Sequence, residues 1–276
     1  MQNFDQQTLA SLYIVRSITK QLGGGSIKSL GQNFLINQKT LLRFIDVLDI
    51  SENDTVIEIG PGIGVVSYTL CEKAKKVYLI EIDKTKSEAL NKVLENYDNY
   101  EIIWADATNF DYAQIPELDK VKVVGSLPYN SAKRIIYNLF FSKLNWSRAA
   151  FILQKEVAEN YSSIPPRADF LSIFARIFSE PKLRFTISPK SFYPIPRVDS
   201  AAITFDRHSK FDAIDKNALS KFIKKGFSSP RKTIFNNLGL KSHADEVSKK
   251  LKISQKARPS ELQVDDWVYL FRNFIN

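Results

Sequence analysis

The sequence predicts an α/β fold in which a doubly wound, mostly parallel sheet is followed by a small helical domain. Short apolar segments alternate with stretches whose apolar residues recur at helical spacing, which is the pattern of buried parallel strands joined by helices. The last quarter of the chain shows helical spacing without strands between the helices. The predicted strands of the parallel sheet are 55–59, 77–82, 100–104, 121–125 and 149–153.

Helical spacing and turn residues define the remaining elements. Two further extended segments, 182–187 and 200–205, flank the Pro-rich turn 192–196, and we expect them to close the sheet as an antiparallel pair. The helices predicted in the α/β part are 38–48, 65–74, 84–96 and 132–141. Those predicted after Arg207 are 218–227, 232–238, 244–251 and 261–274.

Three parts follow from this pattern. The run Gly23-Gly24-Gly25-Ser26 is typical of a flexible joint, so residues 1–29 are expected to form a flexible N-terminal arm. Residues 30–207 are expected to form the α/β domain and residues 208–276 the helical domain.

Charge is concentrated in the helical part. From Arg207 to the C-terminus there are 15 Lys and Arg against 7 Asp and Glu, which accounts for +8 of the total net charge of +9. Evenly scattered lysines usually only solvate a surface, but a concentrated excess favours a module that binds a polyanion.

Composition excludes several classes of protein. No stretch of about 18 apolar residues is present, and the N-terminus lacks the basic start and apolar core of a secretory signal. Cys71 is the only cysteine, and with His208 and His243 it is too little for a Cys/His zinc site. We therefore expect a cytoplasmic protein without a metal.

A glycine turn follows the first predicted strand. Residues 56–64, Val-Ile-Glu-Ile-Gly-Pro-Gly-Ile-Gly, are predicted to form a strand, a turn and the start of a helix, where glycines let the backbone approach a ligand. The dinucleotide fingerprint requires a small residue directly after Gly64, but Val65 stands there. The spacing disfavours a nicotinamide site, and by itself it also fits an ordinary strand–helix turn.

Two acids end the next two strands. Glu81 lies 21 residues after Gly60, where a carboxylate can accept hydrogen bonds from both hydroxyls of a ribose. Asp106 ends the third strand and could accept from an adenine amine. Either acid could instead cap a helix. Taken together, the glycine turn and the two acids favour an adenosyl cofactor without phosphates.

The fourth strand leads into Gly125-Ser126-Leu127-Pro128-Tyr129. The Ser126 hydroxyl and a backbone carbonyl such as that of Leu127 could accept the two N–H groups of an exocyclic amine and favour a pyramidal nitrogen. Tyr129 offers a face on which a base can stack. Alone, the segment is more typical of an ordinary proline turn after a strand.

From Leu30 onward the chain resembles the ribosomal RNA adenine dimethyltransferases of the KsgA (RsmA) type. Nine segments in the same order carry the resemblance. They are 31–35, 58–62, 81–83, 106–107, 127–130, 153–158, 192–201, 231–233 with 236–238, and 258–259 with 262.

The resemblance implies a Rossmann-like methyltransferase sheet that uses S-adenosyl-L-methionine. It implies that the target adenine is flipped out and enclosed by Tyr129 and Phe192, beside Ser126, Leu127 and Pro128. The cofactor-contacting positions are Asn33, Leu35, Gly60, Glu81, Asp106 and Ser126.

The implied reaction is dimethylation of N6 of two adjacent adenosines in the 3′-terminal hairpin of small-subunit (16S) ribosomal RNA. The implied partner is that RNA within the assembling 30S subunit, bound by the helical domain of a monomeric enzyme, and the implied process is ribosome biogenesis.

The chain departs from the family pattern at three places. Ser126 stands where Asn is usual, but its hydroxyl is still an acceptor, so we expect activity. Pro230 replaces a basic residue before Arg231, which affects one phosphate contact. Residues 168–170 replace a stretch that usually contains glycine.

Two alternatives stay open. An Erm-type enzyme, which methylates an adenine of large-subunit (23S) ribosomal RNA, shares the fold and much of the site. The segments 192–201 and 231–238 are closer to the KsgA pattern. A non-catalytic nucleic-acid-binding factor on the same fold would rely on the basic C-terminal part, but it would have no need of the cofactor positions.

Overall fold

The computed structural model describes residues 9–21, 33–115 and 120–274. The chain divides into two compact units. The first comprises residues 1–155 and 183–206, and the second comprises 156–182 and 207–276.

Within the described residues, nine strands are arranged in two sheets. The strands are β1 (Phe34–Leu35), β2 (Thr55–Ile59), β3 (Lys76–Glu81), β4 (Tyr100–Trp104), β5 (Val121–Ser126), β6 (Trp146–Gln154), β7 (Ser179–Ile187), β8 (Phe192–Tyr193) and β9 (Ser200–Arg207). The main sheet has the order β4-β3-β2-β5-β6-β9-β7, and β1 pairs with β8 in a separate two-stranded sheet.

The main sheet is parallel from β4 through β6, and β9 runs antiparallel to β6. The central strands are nearly continuous apolar runs because both of their faces are covered; the adjacent residues Leu79 and Ile80, which point to opposite faces, are both buried. The α/β class predicted from the sequence is confirmed. Both segments expected to close the sheet belong to it, as β7 and β9.

Eleven α-helices are assigned in the described residues. They are α1 (Leu12–Gln21), α2 (Gln38–Asp46), α3 (Val65–Lys73), α4 (Ser87–Val93), α5 (Ala132–Phe141), α6 (Lys155–Ser162), α7 (Phe170–Arg176), α8 (Lys216–Gly226), α9 (Ile234–Leu238), α10 (Ala244–Leu251) and α11 (Val264–Phe274). The helix predicted at 84–96 is shorter, because Asp83 caps a separate 3-10 turn, Lys84–Lys86, ahead of α4. None of the helices in the described part of the chain is long and apolar enough to cross a membrane.

Part of the expected flexible arm is helical. Within α1, Val15 and Ile18 are buried in the same core cluster as Phe44 and Ile45 of α2. The expectation of flexibility came from the glycine run at 23–26, which lies outside the described residues. It overlooked the helical spacing of Ile14, Val15 and Ile18, which form an apolar face.

The second unit joins α7 to the C-terminal helices. The ring centroid of Phe170 lies 6.3 Å from that of Phe227, and the Ala168 N–H donates to the Ser260 carbonyl at 3.0 Å. Residues 156–182 therefore cluster with residues 207–276, whereas the sequence pattern placed them in the α/β domain. Local spacing could not show this, because the contacts join residues more than 50 positions apart.

Candidate active site

One cavity of about 240 Å³ opens at the carboxyl ends of the parallel strands. Ligands of open α/β sheets bind at this edge, because the strand ends and the following loops converge there. All ten site residues predicted from the sequence line it, although their roles remain predictions. They are Asn33, Leu35, Gly60, Glu81, Asp106, Ser126, Leu127, Pro128, Tyr129 and Phe192.

The glycine turn forms the floor between β2 and α3. Gly60, Gly62 and Gly64 have φ angles of +74°, +58° and +87°, a region of backbone conformation that residues other than glycine rarely adopt. A Cβ at Gly62 would also lie 2.9 Å from Cε1 of Phe34. The turn therefore requires glycine both for its backbone and for the close approach of Phe34.

Glu81 holds this turn through its side chain. Its Oε2 accepts the Gly62 N–H at 3.0 Å, and its Oε1 accepts the Asp83 N–H at 2.8 Å. Burial raises the pKa of the Glu81 carboxyl, and the nearby Asp83 carboxylate raises it further, while both backbone hydrogen bonds lower it. Each carboxylate oxygen keeps a second lone pair, so Glu81 can organise the turn and still accept a ribose hydroxyl.

Glu58 is a cavity residue that sequence reasoning did not select as a site residue. It is 1% exposed, and the Ser67 hydroxyl donates to its Oε2 at 2.6 Å. Burial raises the pKa of Glu58 to about 8, and the Glu81 charge acts in the same direction. An acid within an otherwise apolar buried strand was the available signal, because unpaired carboxylates are rarely buried without a role.

Asp106 follows β4 at the other end of the cavity. Its Oδ1 accepts the Thr108 N–H at 2.8 Å, which sets the direction of the loop. The Arg134 Nη2 donates to the Thr108 hydroxyl at 3.3 Å, and Arg134 also lines the cavity. The Asn138 side chain secures the loop by donating to the carbonyls of Ala107 and Phe110.

The segment after β5 forms the opposite wall. Ser126 is half-buried and Leu127 is buried, with the Leu127 N–H donating to the Ile152 carbonyl at 3.2 Å. Gly125 permits close packing here, because a Cβ would lie 2.6 Å from the Ile59 carbonyl oxygen. The wall of the cavity is thereby fixed against β2 and β6.

Two aromatic residues complete the cavity. The Tyr129 hydroxyl is 2.6 Å from the Ser200 hydroxyl, and burial raises the pKa of Tyr129. Phe192 is 1% exposed and lies on β8, where it pairs with Leu35 of β1. The small β1–β8 sheet thus carries both a predicted cofactor residue and a predicted target-base residue.

The donor set fits an adenosyl group. Carboxylates at two strand ends can accept hydroxyl and amine hydrogens, and apolar side chains such as Val66, Ile82 and Ile135 offer surfaces for a purine. In residues 9–21, 33–115 and 120–274, no group of three or more His, Cys, Asp or Glu is placed to hold a metal ion.

A basic surface lies on the second unit. Lys221, Lys224 and Lys225 of α8 are exposed, as are Arg231 and Lys232 in the turn that follows. The Asn237 amide holds this turn by donating to the carbonyls of Gly226 and Ser229, at 2.6 and 3.0 Å. We call these five basic residues the α8 basic surface.

The chain matches known proteins along most of its length. A family model described as "Ribosomal RNA adenine dimethylase" matches residues 26–276. A Clostridium botulinum (strain Kyoto / Type A2) protein named "Ribosomal RNA small subunit methyltransferase A" is 34% identical over 249 residues, 87% of this chain and 90% of that one. A protein of the same name from Mycoplasma mycoides subsp. mycoides SC is 35% identical over 255 residues, covering 88% and 96%.

Solved structures support the fold. The 23S rRNA methyltransferase ErmE superposes with a TM-score of 0.72 at 21% identity, covering 87% of this chain and 98% of that one. A dimethyladenosine transferase from Plasmodium falciparum superposes with a TM-score of 0.73 at 24% identity, covering 87% and 96%.

Proposed function

The chain belongs to the ribosomal RNA adenine dimethylase family, and from that premise we propose that it dimethylates N6 of two adjacent adenosines in the 3′-terminal hairpin of 16S ribosomal RNA. It is an rRNA adenine dimethyltransferase, with S-adenosyl-L-methionine as the methyl donor. The choice of small-subunit RNA is supported by the names of the two relatives to which the chain is 34–35% identical, and the two adenosines are those that the resemblance of the sequence implies.

One observation carries the assignment of residues: a single cavity collects all ten predicted positions. We propose that Asn33, Leu35, Gly60, Glu81 and Asp106 bind the cofactor. Glu81 accepts the ribose hydroxyls, and Asp106 accepts the adenine amine. When bound, the cofactor supplies an electrophilic methyl group.

The target adenine is proposed to enter between Tyr129 and Phe192. Its amine is a weak nucleophile because the nitrogen lone pair is delocalised into the ring. The Ser126 hydroxyl and the Leu127 carbonyl accept the two N–H groups and favour a pyramidal nitrogen, while Pro128 makes the segment rigid. Stacking on an aromatic face stabilises a base by about 1–3 kcal/mol, and this helps to keep the flipped adenine in place.

We propose that the helical unit binds RNA through the α8 basic surface. Five exposed cations within twelve residues suit a phosphate backbone, and the Asn237 hydrogen bonds fix the turn that presents two of them. The proposed substrate is the assembling 30S subunit, and the proposed active form is a monomer.

The test is to map modified adenosines in a strain that lacks the gene and in the complemented strain. Primer extension across 16S RNA should show a block at the 3′-terminal hairpin that disappears in the deletion strain, and mass spectrometry of that fragment should show dimethyladenosine. An unchanged block would contradict the proposal. Loss of a modification in 23S RNA instead would identify an Erm-type enzyme.

A further inference from the structure

Lys86 is fully buried at the end of the 3-10 turn that follows β3. Its Nζ lies 3.4 Å from Oδ2 of Asp83, whose side chain is 5% exposed, and 5.9 Å from the ring centroid of Phe34. Placing an ammonium group in the interior costs free energy even when it is paired, and an apolar side chain often serves stability as well. A buried ion pair is therefore weak evidence that the lysine is present for stability.

The contacts of Lys86 with Asp83 and Phe34 belong to a continuous set of contacts around the glycine turn. Asp83, its ionic partner, donates its backbone N–H to Oε1 of Glu81, and Gly62 donates to Oε2 of the same carboxylate. Phe34, beneath the ammonium group, packs against Gly62 so closely that a Cβ there would lie 2.9 Å from its ring. Glu81, Asp83, Lys86, Phe34 and Gly62 thus constrain one another.

Phe34 connects this set of contacts to β1, on the other wall of the cavity. It lies between Asn33 and Leu35, both of which line the cavity, and it pairs with Tyr193 in the β1–β8 sheet. The neighbouring pair in the same ladder is Leu35 with Phe192. A displacement of β1 at Phe34 would therefore also displace, through these two ladder pairs, the proposed target-base residue Phe192.

We propose that Lys86 is a positioning residue for the cofactor, which holds Phe34 on the glycine turn and so keeps β1 and Glu81 at a fixed spacing. An ammonium group attracts the face of an aromatic ring, so this contact favours one orientation of the Phe34 ring, which an apolar contact would not do. The inference deepens the proposed function, because it rests on the cofactor residues assigned there.

The test is a double-mutant cycle on cofactor affinity with Phe34→Leu, Lys86→Met and the double variant, measured by isothermal titration with S-adenosylmethionine. Each single substitution should weaken binding by about tenfold, and the double variant should bind no more weakly than either single variant, because both remove the same constraint. Lys84→Met is the matched control: Lys84 is exposed on the same turn, and its replacement should leave affinity unchanged.

Thermal unfolding of each variant separates positioning from stability. Lys86→Met leaves the Asp83 carboxylate without this partner, so the cycle is repeated with Asp83→Asn, which restores the charge balance. Affinity that stays low while the melting temperature recovers supports the proposal. Unchanged affinity in Lys86→Met, additive losses of about a hundredfold, or affinity that recovers together with stability would overturn it.

Different results would contradict the proposed function and the proposed role of Lys86. A protein that binds the cofactor but leaves 16S RNA unmodified contradicts the proposed function, and the cycle still reports on Lys86. If 16S RNA is methylated but the losses of affinity in Phe34→Leu and Lys86→Met add in the double variant, only the role of Lys86 is contradicted.

Discussion

The hydroxyl groups of Tyr129 and Ser200 lie 2.6 Å apart, joining the segment after β5 to the start of β9 across 71 positions of the chain. Ser200 is fully buried and Tyr129 is partly buried, so the hydrogen bond is partly shielded from water. The bond sets the orientation of the Tyr129 ring, which is the surface proposed to stack on the target adenine.

Ser200→Ala should therefore slow methyl transfer. Loss of one neutral hydrogen bond corresponds to about 0.5–1.5 kcal/mol, so the rate at saturating RNA and cofactor should fall about two- to tenfold. Tyr129→Ala should reduce the rate further, because it removes the stacking surface itself. Single-turnover methylation of small-subunit RNA measures both rates.

Cofactor affinity provides the control for these variants. Titration with S-adenosylmethionine should give nearly unchanged affinity for Ser200→Ala and Tyr129→Ala. Thr204→Val, a buried position on the same face of β9, should leave the transfer rate unchanged. If affinity and rate fall together in Tyr129→Ala, Tyr129 supports the fold and not the target base.

Glu81→Ala should weaken cofactor binding by about tenfold or more, because hydrogen bonds to a charged acceptor contribute about 1.5–3 kcal/mol. The loss has two sources: the ribose hydroxyls lose an acceptor, and the Gly62 N–H loses the carboxylate that holds it. Calorimetric titration measures the affinity. Glu88→Ala, an exposed acid on α4, is the control. Unchanged affinity in Glu81→Ala would remove Glu81 from the site.

Glu58 should make stability depend on pH. Its pKa is raised from an ordinary value of 4.5 to about 8, so between these values the folded protein binds a proton that the unfolded chain releases. The free energy of unfolding should therefore fall as the pH rises from about 5 to 8, with a slope of up to about 1.4 kcal/mol per pH unit from this group. Chemical denaturation at several pH values measures it.

The neutral variant Glu58→Gln isolates this effect. It should show a flatter dependence of unfolding free energy on pH over the same range, because the position no longer titrates. Glu88→Gln, at an exposed position, should retain the slope of the unaltered protein. Equal slopes in all three proteins would show that the Glu58 carboxyl is ionised in the fold.

RNA affinity should fall with salt in proportion to the phosphates contacted by the α8 basic surface. Lys224→Gln with Lys225→Gln should reduce the slope of log affinity against log salt by about 1.4–1.8, since each contact contributes about 0.7–0.9. Lys73→Gln with Lys75→Gln makes the same change of charge on the first unit and should leave the slope intact. The opposite result would place the RNA surface on the first unit.

Ser126→Asn should retain transfer of both methyl groups, because the amide oxygen still accepts an N–H of the target amine. Ser126→Ala removes the acceptor and should slow transfer by about tenfold, the equivalent of one hydrogen bond of about 1.4 kcal/mol. Mass spectrometry of the RNA fragment over time separates mono- from dimethyladenosine. Equal rates for the two variants would show that the side chain at this position is not an acceptor in the reaction.

Many of the strands and helices can be predicted from the local sequence. The strands 55–59 and 100–104 and the helix 132–141 have the predicted bounds, because continuous apolar runs and helical spacing are properties of adjacent residues. The glycine turn and the acids at the strand ends could be placed together for the same reason: parallel strands bring their carboxyl ends to one edge of the sheet.

Only the tertiary structure decides which residues distant in the sequence are in contact. The pairing of Phe34 with Tyr193, the grouping of residues 156–182 with the C-terminal helices and the burial of Lys86 have no local signature. The same holds for the hydrogen bond between Tyr129 and Ser200: a tyrosine after β5 and a serine on β9 are ordinary in sequence. They meet because parallel β5–β6 pairing and antiparallel β6–β9 pairing bring two remote strand ends together, and that proximity depends on the packing of the whole sheet.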